Sequence, residues 1–500
     1  MKLKLPHSTH NWITLIGALI ALISLSMIGF LLFISVVLSQ SHAYLGLITY
    51  IVLPAVMILG LVLIPIGMWI TTRRRNAGHA EGGPSWPKVD LNDNRHRNAF
   101  LVFIFGTMFL LFVSAVGSYE AFHFTESTTF CGQVCHSVMH PEFVAYQNSP
   151  HARVACVDCH VGTGADWYVR SKLSGAYQVY SVIAEKYSKP IETPISNLRP
   201  ARETCMQCHW PQKFYAHKLR MSRHYLQDEE NTEWDIQMVM KIGSEHAAQG
   251  LAEGIHWHIN PNVKVEYIAG DEKRQEIPWV RYTDLTTGEV TVYTDEEYDL
   301  DPEAIQNEEI RVMDCMDCHN RPSHDYLPPT DFINDAITAG AIPQELPEIK
   351  YLCVTLCDAS YPSMDSAMIA IETTIREYYE GDYPEIVEEN PEWIDRAIAG
   401  MQDAFSRNIF PDMKVRWDAY PNFIGHMEFN GCFRCHNDTH ASESGKVIPK
   451  DCNLCHTIVA QGPPDELVTA TVNETLEFMH PDGDDEGWQD GLCIDCHTGL

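Results

Sequence analysis

Apolar residues crowd one end of this chain. Trp12 to Leu38, Leu45 to Ile70 and Ala99 to Gly117 are nearly continuous apolar runs, and no Asp, Glu, Lys, Arg or His interrupts them. The first two exceed the roughly 20 residues that a helix needs to cross a bilayer, and the third just reaches it. Each predicts a transmembrane helix. Beyond Gly117 the pattern changes. Ile255 to Tyr267 and Glu276 to Tyr293 alternate apolar and polar positions, with Thr286-Thr287-Gly288-Glu289 as a turn, which predicts a small β insertion. Ser363 to Tyr379 and Pro391 to Asn408 have helical spacing, and Pro328-Pro329, Pro343 and Pro347 mark a joint ahead of them. The remainder predicts loops and short helices.

Basic residues flank the apolar runs unevenly. Lys2 and Lys4 precede the first, the turn from Ser39 to Tyr44 has none, and Arg73, Arg74, Arg75, Lys88, Arg95 and Arg97 fill the link before the third. By the positive-inside rule the N-terminus and that link are cytoplasmic, and everything after about Ser118 lies outside. Ser41-His42-Ala43 resembles a signal-peptidase site, but the preceding apolar stretch is far longer than a secretory h-region, which favours a retained anchor. With no ionisable residue inside the runs, the usual signs of a proton or ion path are missing.

Sixteen cysteines change the picture. Twelve form six Cys-x-x-Cys-His motifs: Cys156/Cys159/His160, Cys205/Cys208/His209, Cys315/Cys318/His319, Cys432/Cys435/His436, Cys452/Cys455/His456 and Cys493/Cys496/His497. A further motif, Cys131/Cys135/His136, has one extra residue between its thiols. Such spacing lets two thiols add to the vinyl groups of one haem while the next histidine ligates its iron. A single motif of this kind is also compatible with a zinc knuckle, a redox dithiol or a disulfide; seven together predict seven haem c groups. Cys353 and Cys357 repeat the stretched spacing, but Asp358 replaces the histidine, so a local disulfide or two buried thiols is preferred over an eighth haem.

Low-spin haem needs a second axial ligand. The histidines near motifs, His151, His324, His426, His440 and His480, are the leading candidates, followed by His224, His256 and His258; His136, Met139 and His140 compete around the first iron. The first motif begins about thirteen residues after the third apolar run, so it is the one that meets a membrane quinol, such as menaquinol. Oxidising a quinol releases protons and calls for a base; Glu120, His123, Glu126, Asp166 and Lys172 are the groups on either side. The formal charge of −32 excludes nucleic acid as a partner and suits basic periplasmic c-type cytochromes, although simple solubility explains it equally.

The stretch from Cys131 through Met139, Tyr146, Ser149-Pro150-His151, Cys156-Val-Asp-Cys-His-Val-Gly162, Trp167 and Lys172 resembles the NapC/NirT family of membrane-anchored quinol dehydrogenases, and so does Cys315-Met-Asp-Cys-His-Asn-Arg-Pro-Ser-His324. The wider layout is similar to inner-membrane heptahaem quinol dehydrogenases. The resemblance implies Met139 at the first iron, His324 on the second haem, His151 on the fourth, and Lys172 near the third haem or the quinol. The stretched first motif, the position of Met139 and three anchor helices in place of one depart from the family's pattern.

The expected fold is a membrane-anchored multihaem cytochrome: three N-terminal transmembrane helices, then a mainly helical and coil, haem-packed periplasmic domain with a small β insertion. The expected parts are an anchor over 1–118 with a cytoplasmic basic loop over 71–97, a NapC/NirT-like tetrahaem module over 119–328 with its β-rich insertion at about 250–300, a helical spacer over 329–425 and a trihaem module over 426–500. The expected function is electron transfer from quinol in the lipid bilayer to periplasmic cytochromes in anaerobic or extracellular respiration. A terminal reductase with an open haem, or a permanent subunit of a larger complex, is the alternative.

Overall fold

The computed structural model describes residues 9, 11–38, 52–77, 90–134, 136–162, 165–193, 199–210, 214–243, 254–298, 309–471, 474–483 and 487–497. The chain forms two compact units, Met1–Met139 and His140–Leu500.

The first unit carries helices α1 (Trp12–Leu38), α2 (Leu53–Ala77) and α3 (Asn94–Thr125). All three are long and apolar enough to cross a membrane. Large apolar side chains point outward along them: Leu22, Phe30, Leu59, Phe103 and Phe112 are all exposed, which suits lipid and not water. Helices α1 and α2 approach through glycines. A Cβ on Gly60 would lie 2.8 Å from the Ala21 nitrogen, and one on Gly17 would lie 2.6 Å from the Gly60 carbonyl oxygen, so only hydrogen fits at either point. Below that crossing Ala21, Ile28, Leu53 and Met57 are buried, with Leu110 of α3 packed beside them. Arg74 and Arg75 close α2, where positive charge offsets the helix dipole.

The second unit combines two antiparallel sheets with a helical core. Its strands are β1 (His217–Tyr225), β2 (Glu233–Lys241), β3 (Val263–Ile268), β4 (Trp279–Asp284), β5 (Val290–Asp295), β6 (Arg311–Val312), β7 (His440–Ser442), β8 (His456–Gly462) and β9 (Val468–Thr469). One sheet has the order β1-β2-β8-β9 and the other β6-β3-β4-β5-β7. Both therefore mix strands from between the third and fourth motifs with strands from the C-terminal stretch: Asp235 pairs with Gly462, and Asp295 with His440. The insertion is larger than the 250–300 expected. Strands β1 and β2 precede it, and Ile255–Ile259 is a 3-10 turn where a strand was expected.

Four longer helices, α4 (Pro329–Thr338), α5 (Ile349–Asp358), α6 (Met364–Asp382) and α7 (Pro391–Asn408), and the short helix Pro384–Glu389 lie in the stretch expected as a spacer. Ser363 caps α6 and Pro391 opens α7, close to the ends read from the sequence. Their apolar faces close on Ile333, Ile349, Ile371, Tyr379, Met401 and Phe405, each with essentially no exposure. Asn231, at the β1–β2 turn with φ of 49°, ties the sheet to this core. Its amide donates to the carbonyls of Gln344 and Leu346 at 3.0 and 2.8 Å and accepts from the Lys350 backbone N–H.

Cys353 and Cys357 lie inside the same core, 0% and 1% exposed, as free thiols. Burial pushes the Cys353 thiol up to about 12 and raises Cys357 as well. Side chains cover both sulfur atoms, so this face of α5 offers a macrocycle no place. Replacing Phe405 by Ala is expected to cost the helical core about 3–5 kcal/mol, read as a lower midpoint in denaturant followed by far-ultraviolet circular dichroism.

Candidate haem sites

Each Cys-x-x-Cys-His motif folds as a single helical turn that brings two thiols and a ring to one side. The N–H of the histidine donates back to the carbonyl of the first cysteine in four motifs: His209 to Cys205, His319 to Cys315, His436 to Cys432 and His497 to Cys493, at 2.8 to 3.1 Å. Acidic side chains cap these turns. Asp314 accepts from the Met316 N–H and Asp451 from the Asn453 N–H, both at 2.8 Å. The stretched first motif solves its extra residue differently: Phe130–Val134 is a π-helical turn, the usual device for accommodating one inserted residue.

Cys159, Cys208, Cys452 and Cys496 are exposed, and Cys493, at the start of the short helical turn Cys493–Cys496, is partly covered.

Every standard motif histidine faces a second histidine ring. Centroids are 6.2 Å apart for His160 and His324, 5.9 Å for His209 and His151, 6.3 Å for His319 and His256, 5.9 Å for His436 and His258, 6.2 Å for His456 and His426, and 5.9 Å for His497 and His480. An iron bonded at about 2 Å to one nitrogen of each ring holds the ring centres about 6 Å apart. The donor set and its spacing therefore fit bis-histidine haem c.

The rings are also aimed. Nδ1 of His151 donates to the Pro322 carbonyl at 3.0 Å, that of His256 to Ile242 at 3.1 Å, that of His258 to Ile255 at 2.9 Å and that of His436 to Pro449 at 3.2 Å. His324 Nδ1 lies 3.0 Å from both the backbone and the carboxylate of Glu142, and His480 Nδ1 meets Asp482. A donor at Nδ1 leaves Nε2 with its lone pair, the state a metal needs. Burial lowers the pKa of His160, His324, His256, His319, His436, His456 and His497, and carries His426 down to about 4, so these rings are neutral at physiological pH. Arg321 braces the first of these pairs: its guanidinium bonds Glu142 at 3.2 Å and the His324 carbonyl at 2.6 Å, and stacks 4.0 Å over Tyr420.

Several expectations are corrected by this geometry. His440 is fully buried with both nitrogens engaged, Nδ1 with Asn437 at 2.8 Å and Nε2 with the Ile277 carbonyl at 2.6 Å, so neither reaches an iron. His224 sits on β1 against Asn334, and with the six standard motifs each faced by another ring it has none of them left to serve. His151 faces the third motif and not the fourth, whose partner His256 comes from the insertion. His256 and His258, ranked behind the histidines nearer a motif, stand two residues apart and face two different motifs.

Cys135 and the side chains of His136 and Asp166 lie outside the described residues. Met139 is half-buried, while His140 is exposed and meets Phe410 edge-on at 5.7 Å. Glu120 and His123 lie near the end of α3, exposed, His123 edge-on to Tyr119 at 4.4 Å. Lys172 is half-buried on the helix Ala165–Ile183, in the second unit.

Consecutive motifs are neighbours. Cys159 lies within electrostatic range of Cys208, Cys205 lies against Cys315, Cys318 lies near Cys432, Cys455 near Cys432, and Cys493 near Cys452. From the second motif to the seventh, order in space follows order in the chain.

Paired imidazoles over covalent-attachment turns, on a chain with three membrane-length helices, define a membrane-anchored multihaem cytochrome c. The chain belongs to the NapC/NirT cytochrome c family: residues 93–193 match the model of that family's N-terminal region. It is 44% identical, over 97% of its own length and 95% of the relative's, to the cytochrome c-type protein ImcH of Geobacter sulfurreducens. The cytochrome c-type protein NrfH of Wolinella succinogenes is 28% identical over 23% of this chain and 68% of its own. No solved structure matches.

Exchanging His426 for Ala is expected to convert one haem to a high-spin signal in electron paramagnetic resonance. Exchanging His440 for Ala is expected to leave the low-spin signals intact and to lower stability by about 1–3 kcal/mol, through the buried polar groups it strands.

Proposed function

We propose that this protein oxidises quinol at the outer face of the bacterial inner membrane and passes the electrons to periplasmic c-type cytochromes. Haem c bound at seven motifs supplies a row of one-electron carriers between the two. The observation that carries this reading is the succession of six histidine-paired motifs in the second unit, each beside the next from the second motif to the seventh. Nothing in that succession calls for a catalytic open iron among the six standard motifs, so a terminal reductase would have to use the first.

The positive-inside pattern supports a cytoplasmic N-terminus and periplasmic haem motifs. Helix Ala165–Ile183 supports membrane contact in the second unit: Leu173, Tyr177, Tyr180 and Ile183 recur at helical spacing and are all exposed, between 50 and 79%. Quinol bound beside the first motif gives up two protons, and Glu120, His123, Asp166 and Lys172 are the groups to hold or pass them. Met139 is the preferred distal ligand of that motif, with His140 as the competitor. Acidic surface beyond the membrane steers a basic cytochrome to the far end.

Adding a menaquinol analogue to membranes that contain the protein is expected to reduce its haems, and a quinol-site inhibitor to prevent it. Replacing Lys172 by Met is expected to slow this reduction by on the order of 10²-fold while dithionite still reduces every haem. Quinol-independent reduction, or inhibitor insensitivity, sinks the proposal.

A further inference from the structure

The fourth and fifth motifs belong to stretches far apart in the sequence, yet two separate features bind them together. One 3-10 turn, Ile255–Ile259, carries both facing rings: His256 toward His319 of the fourth motif and His258 toward His436 of the fifth. On the attachment side the two motifs are joined directly. Arg434, between the cysteines of the fifth, donates at 2.8 Å to the carbonyl of Asp317, between those of the fourth, and at 2.9 Å to that of Arg274. The Asp317 carboxylate is itself fixed, 1% exposed, by Tyr267 and Arg311 at 2.6 Å and by the Asp314 N–H at 2.6 Å.

The turn is anchored to both sheets. Gly254, at φ of 126°, passes so close to the end of β2 that a Cβ would lie 2.6 Å from the Lys241 carbonyl. His256 donates from its backbone N–H and from Nδ1 to Ile242 just beyond that strand. Trp257, between the two histidines, lies beside Tyr282 of β4. Lys241 reaches the sixth motif as well, through its N–H to the Cys455 carbonyl at 2.8 Å. No comparable clamp, with one turn facing two motifs, occurs elsewhere among the described residues.

From this geometry we infer that the Ile255–Ile259 turn and the Arg434–Asp317 contact form the junction through which electrons leave the first four haem sites and enter the last three. His256 and His258 are the distal ligands of adjacent sites, and Arg434 is a positioning residue that fixes their separation. One electron crossing the junction oxidises the donor site and reduces the acceptor site by one equivalent, with no bond or proton moved. This inference rests on the bis-histidine reading above and extends it to the route between the two groups.

The test uses full-length protein in membranes, with intact mass giving the haem count of each variant. His258→Ala is expected to yield one high-spin haem, and reduction by a menaquinol analogue is expected to lose the contribution of the last two motifs from its fast phase. His258→Met, which restores a sixth ligand, serves if the alanine variant loads poorly; it is expected to shift one haem's spectrum and potential. Arg434→Gln is expected to keep every low-spin signal and slow the later phase severalfold, with Arg434→Lys giving partial recovery. His480→Ala, at the last motif, is expected to leave the transfer into motifs five and six unchanged. Unaltered low-spin spectra in both His258 variants overturn the ligand assignment, and wild-type phases in all the junction variants overturn the route. Wild-type haems that stay oxidised with quinol, while the His258 variants show the expected spectral changes, sink the quinol reading and leave the ligand assignment of the junction standing.

Discussion

Two imidazoles share an iron only if something holds their centres about 6 Å apart and turns a lone pair of each toward the gap. The second unit is organised around meeting that condition six times. Motif turns present one ring of each pair, and the other is delivered by whatever part of the chain the tertiary structure brings opposite. His324 follows its own loop, His151 follows a helix, and His256 and His258 come from a 3-10 turn. Carbonyl acceptors at Nδ1 then set the tautomer and the aim. Regular secondary structure serves this purpose and is otherwise spare.

That dependence explains why the two sheets cross the expected module boundaries. A ring from residues 255–259 has to meet motifs at 315–319 and 432–436, so its backbone needs a rigid support shared with both. Pairing β2 with β8 and β5 with β7 supplies it. The helical core adds a second anchorage through Asn231. The second to seventh motifs thus share one compact unit, His140–Leu500, even though they cluster separately along the chain.

What could be read from the sequence follows the same division. Attachment motifs were legible because two thioether bonds and a proximal ligand demand fixed local spacing. Helix α7 was legible to its end residues, since Pro391 opens it and one apolar face runs its length. Of the histidines favoured for nearness to a motif, His151, His324, His426 and His480 do face a motif ring. Nearness also favoured His440 over His256, yet His440 spends both nitrogens on the fold and His256 faces His319. Strand β1 was missed because His-Lys-Leu-Arg-Met-Ser-Arg-His-Tyr alternates mostly between charged and small or apolar residues and stays exposed over most of its length.

Asp317 brings these strands of argument together. A carboxylate with 1% exposure is costly to bury, and partners on one side alone would leave it a liability. Here Arg311, Arg274, Tyr267 and the Asp314 N–H surround it, and its own backbone carbonyl receives Arg434. Stability by itself does not require such a cluster, because apolar side chains would fill the space at no desolvation cost. A hydrogen-bonded network has directions and lengths that apolar packing lacks, and it joins the residues between two pairs of haem-bearing cysteines. Small slippage there would change the distance between neighbouring haem sites, on which electron transfer depends steeply. A buried charge is tolerable at this position because it makes that distance a fixed property of the fold.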